Sequence, residues 1–147
     1  MISTALAREL RAAGLVWTPA SGDAFQIALG GDLSDDFEGD VFTVSDMTIE
    51  AHRYPTGTVL GFNGTTEWAL DSVALDDALW LPREDQLREA LRGTFRSLAR
   101  TIADGGGVVY TVTATIDGAD AAFSSDDPSE AYGFAVLALI RSVQEEA

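Results

Sequence analysis

The chain has no cysteine, no lysine and a single histidine, and its longest apolar run, YGFAVLALI, is only nine residues. Each absence removes a class of chemistry. Without Cys there is no disulfide, thiolate nucleophile, zinc ribbon or iron–sulfur cluster. Without Lys there is no Walker phosphate loop, and the glycine-rich ADGGGVVYTV is expected to follow a helix and precede a strand, the reverse of a phosphate cradle. The nucleophile-elbow pattern GxSxG does not occur. An apolar run of that length falls far short of the ~18–20 residues that span a bilayer. The N-terminal MISTALARELRAAGL carries Arg8, Glu9 and Arg11 where a secretory signal is apolar, which predicts a cytoplasmic protein.

Positive charge is also scarce. Nine bases, all Arg, face 24 acids, for a net charge of −15. Such a surface repels phosphate, so neither nucleic acid nor an anionic membrane is expected as a partner. At 46% hydrophobic and 22% charged the composition is that of a folded globular protein, and 147 residues predict a single domain over 1–147.

The apolar periodicity supplies the elements. Ile2, Leu6, Leu10 and Ala13 predict a first helix, with Ser3 as N-cap and Gly14 as left-handed C-cap. Phe25–Leu29 reads as a strand, followed by the acidic loop GGDLSDDFEGD. From Val41 the period is two, with turn signals at YPTG and FNGT, so an antiparallel meander is expected to run to Leu70. Trp80 and Leu81 read as packing residues ahead of a second helix. Pro82 opens that helix, Glu84 and Asp85 suit its positive end, and Leu87, Leu91, Phe95, Leu98 and Ile102 form its stripe. Val108–Ile116 and Ala119–Ser124 alternate about an Asp117-Gly118 hairpin. Asp127, Pro128 and Glu130 open the last helix with a capping box. The expected fold class is α+β: a mainly antiparallel sheet, meander plus C-terminal hairpin, with three helices packed on it.

Few residues offer chemistry. His52 is the one side chain that titrates near neutrality without perturbation, and it lies between Glu50 and Arg53 on the polar face of a strand. The acids Asp32, Asp35, Asp36, Glu38 and Asp40 leave cation binding open but fail the EF-hand test, with Phe37 at the required Gly and Thr43 at the bidentate Glu. No catalytic, metal or cofactor site is assigned. Arg88, Arg92, Arg96 and Arg100 stand every fourth residue on the expected second helix and form a basic ridge. One reading has them covering core edges and pairing with acids such as Glu84 and Glu89. The other has them docking an acidic partner or a second copy of the chain. A homodimer is further suggested by Val108–Ile116 as an apolar strand edge.

Three segments carry a resemblance: AGLVW, ALWLPREDQL and EAYGFAVLAL. They resemble the AGLxW, WLPxxDQL and EAYGxAxLxL segments of a family of small bacterial, mainly actinobacterial, proteins. The resemblance covers nearly the whole chain and implies no activity. Some members carry the label pilus assembly protein, which implies an accessory role without ATPase chemistry, since the phosphate loop is missing.

The leading expectation is a non-enzymatic binding or accessory module. The alternatives are a small metal-dependent or acid/base enzyme using His52 with the acidic loop, and an acidic mimic of nucleic acid that blocks a basic partner.

Overall fold

The computed structural model describes residues 1–27, 41–44, 49–54, 57–62, 72–74 and 77–145. The expected α+β class is present, with three helices and three antiparallel three-stranded sheets among these residues. Contacts divide the chain into two compact units, Trp17–Leu81 and a discontinuous one made of Met1–Val16 with Pro82–Ala147.

In the unit of residues 17–81, β1 (Ala24–Ile27) pairs with β2 (Val41–Thr43) on one side and β6 (Ala78–Leu81) on the other. The residues read as a helix approach, Ala78–Leu81, are therefore a strand. Phe25 is fully buried, opposite Phe42 and Trp80 in register. Trp17 stacks on Trp80 with ring centroids 6.3 Å apart and planes 9° apart. Its indole N–H donates to Asp23 Oδ2 at 2.9 Å, which satisfies the polar edge of a buried ring. A second sheet in this unit orders β3 (Ile49–Tyr54), β4 (Gly57–Phe62) and β5 (Ser72–Ala74), with Tyr54 across from Gly57 at the hairpin predicted from YPTG. The predicted strands over 65–70, and the FNGT turn, lie outside the described residues.

The discontinuous unit holds the helices. α1 (Thr4–Ala13) is capped as its sequence dictates: Leu6 N–H donates to Ser3 Oγ at 3.2 Å, and Gly14 closes it at φ 114°. Leu15 N–H returns to Leu10 C=O at 3.0 Å, the six-to-one bond of a Schellman cap. α3 (Pro128–Glu145) receives the Asp127 cap, Ser129 N–H to Oδ1 at 2.8 Å. Glu130 does not complete the predicted capping box. Its carboxylate accepts from Ser3 N–H and ties the start of α3 to the start of α1. α3 packs on the third sheet, and α1 and α2 (Glu84–Leu91) pack on α3.

That sheet runs β7 (Phe95–Ile102), β8 (Val108–Ile116), β9 (Ala119–Ser125). β8 lies between the other two, so Val108–Ile116 offers no edge for a second copy; β7 and β9 are the edges. Val112 and Ala114 point under α3 with no exposure. Phe95, opposite Ala114, meets Tyr132 of α3 with ring centroids 5.8 Å apart. Asp117 and Gly118 both take positive φ, 53° and 80°, as a type I′ hairpin turn requires.

The second helix is the main correction. It stops at Leu91, a single 3-10 turn follows over Arg92–Thr94, and Phe95–Ile102 is a strand. DGGG belongs to the β7–β8 turn, closed by Ala103 N–H to Gly107 C=O at 2.7 Å, and ends no helix. Gly93 disfavours continued helix, and the β-branched and aromatic residues after it prefer the pleated partner that β8 offers.

Candidate functional site

The arginine ridge does not exist as one helix face. Arg88 is on α2, Arg92 starts the 3-10 turn, and Arg96 and Arg100 are on β7. All four are exposed. A bulge lies between Phe95 and Ser97, so Arg96 is the extra residue in the β7–β8 ladder. Its Nε donates to Thr115 Oγ1 at 2.9 Å and its Nη1 to Gly93 C=O at 3.0 Å. Thr115 alternates with the buried Ala114, so these bonds lie on the face away from α3. Arg100 is opposite Tyr110, on the same side as Val112, and so belongs to the α3 face. The two predicted neighbours are thus divided between the two faces of one strand.

Salt bridges do not absorb these charges. Arg83 pairs with Asp85 at 3.2 Å, but among the described residues none of Arg88, Arg92, Arg96 and Arg100 forms an ion pair. The predicted pairings with Glu84 and Glu89 are not made. Arg92 also sits at φ 52° and ψ −134°, a backbone conformation that costs a non-glycine residue about 1–3 kcal/mol.

Apolar surface accompanies the charge, a feature the sequence reading missed. Leu98, opposite Val112, is 39% exposed and Ile102, opposite Val108, is 60% exposed. Helix α3 packs on β8 and β9 and reaches β7 at Phe95, whereas the strand beyond it, from Arg96 to Ile102, is exposed. Leu98, Arg100 and Ile102 therefore form one exposed row, apolar, cationic, apolar. Reading Leu98 and Ile102 as a buried helical stripe concealed it.

His52 is on β3 opposite Val59. Its side chain, like the acids over 32–40, lies outside the described residues, and so does the enzyme reading built on them. Among the described residues no group of three or more His, Asp or Glu side chains is arranged to hold a metal ion, and no helix is long and apolar enough to cross a membrane. Compared with family models, curated proteins and solved structures, the chain finds no match.

Proposed function

We propose that this protein is a non-enzymatic binding module that holds a protein partner through the surface of β7. One observation carries the reading: in a chain with a large excess of acid, exposed apolar side chains at Leu98 and Ile102 flank a guanidinium, Arg100, that pairs with no described acid. Exposed apolar area gains on being covered at an interface, and a guanidinium set within it supplies charge complementarity that fixes partner and register. An accessory role in pilus assembly, implied by the family resemblance, is compatible with this and adds no residue to it.

A photo-crosslinking side chain placed at Ile102, and at the still more exposed Val16 as control, tests it in cells of the native host. The expected result is a discrete adduct from position 102 that Arg100→Glu suppresses. Adducts of equal yield at both positions, or none at 102, would refute the reading.

A further inference from the structure

We infer that the open edge of β7 accepts an extended acidic segment of another protein by strand addition, in the pattern apolar–x–acid–x–apolar, with Arg100 selecting the acid. The inference rests on β7 being the binding surface and adds the chemistry of what binds there.

The backbone sets the mode. Among the described residues β7 pairs with β8 alone, and no described strand occupies its other side. The Ala103 N–H turns inward to Gly107. Alternation along an antiparallel ladder then turns the N–H and C=O groups of Ile102, Arg100 and Leu98 outward. A row of outward donors and acceptors is the template that strand addition uses. The bulge at Arg96 limits it at one end and the glycine turn at the other. Ser97–Ile102 remains, roughly 20 Å of edge at ~3.3 Å per residue.

The side chains set the pattern. Leu98, Arg100 and Ile102 share one face, so an added strand sets an apolar residue beside Leu98, a carboxylate beside Arg100 and an apolar residue beside Ile102. Its intervening residues fall beside Ala99 and Thr101 on the other face, where small polar side chains fit.

A charge on an edge strand ordinarily discourages pairing. Here it discriminates. The register that sets Leu98 against Ile102 of a second copy also sets Arg100 against Arg100. Self-pairing is opposed at short range by the facing guanidiniums, whereas a carboxylate at that register position is favoured by Arg100. Two exposed apolar neighbours are more than a purely protective charge requires.

The test uses two peptides, TVTETVT and its lysine counterpart TVTKTVT, titrated into the isotope-labelled full chain. Amide shifts and slowed exchange should concentrate at Ser97–Ile102, with the lysine peptide about tenfold weaker. Arg100→Glu should reverse the preference and Arg100→Gln should abolish it. Equal binding of both peptides, or shifts centred elsewhere, overturns the inference. So does a dimer joined through β7, or a single-stranded oligonucleotide that moves the same amides more strongly than the acidic peptide. If neither peptide binds while the Ile102 adduct persists, strand addition fails and the binding surface stands; loss of both removes both.

Discussion

Gly133 of α3 approaches α1 so closely that a Cβ at this position would stand 2.6 Å from Leu6 Cδ2 and 3.3 Å from Ile2 Cδ1. Leu6 is itself almost fully buried and cannot swing aside into solvent. The glycine of the EAYG segment is therefore set by the distance between two helices.

Gly133→Ala should destabilise the fold. Alanine favours the helix by about 0.5–1 kcal/mol, but overpacking a filled contact costs about 1–3 kcal/mol, so the clash wins. The midpoint of urea unfolding should fall at unchanged slope. In a Leu6→Ala background the penalty should largely vanish, since the obstructing methyl is gone.

Arg92 makes the opposite prediction. Its φ of 52° suits glycine, so Arg92→Gly should raise stability by up to about 1 kcal/mol despite the added freedom of the unfolded chain. A thermal scan showing a lower midpoint would contradict the strain at this position.

Asp127 gives a pH dependence. Partial burial pushes its carboxyl up, but the hydrogen bond and charge of the Met1 ammonium and the N–H groups of Ser129 and Glu130 outweigh it, so it lies below its ordinary value. A lowered carboxyl stabilises the fold fully above the unfolded value near ~3.9 and loses that contribution as pH falls through the folded value. Asp127→Asn should therefore be less stable than the parent at pH ~6. The gap should narrow on acidification, as followed by denaturant midpoints at pH ~6, ~4 and ~3.

Caps and tight turns were legible in the sequence because they depend on a few neighbouring residues: Ser3, Gly14, Asp127 and Asp117-Gly118 all take their predicted positions. The misreading of 92–102 has a specific cause. Strand neighbours on one face ordinarily lie two apart, but the bulge at Arg96 inserts a residue, so Phe95 and Leu98 share a face at a spacing of three. Ile102 follows at four, completing a helical spacing on a strand. Gly93 was the local signal against a continuous helix. The candidate site was legible only as an arginine count, because which residues flank Arg100 depends on that register.

The discontinuous unit has a consequence for synthesis. α1 is made before residues 17–81, yet the helix that covers its apolar side is made after them, and Gln144 reaches back to the Ala13 carbonyl across 131 positions. Residues 17–81 leave the ribosome whole while Ile2, Leu6 and Leu10 still await their partner. A truncation that removes the last turns of α3 should therefore leave the apolar side of α1 without its cover.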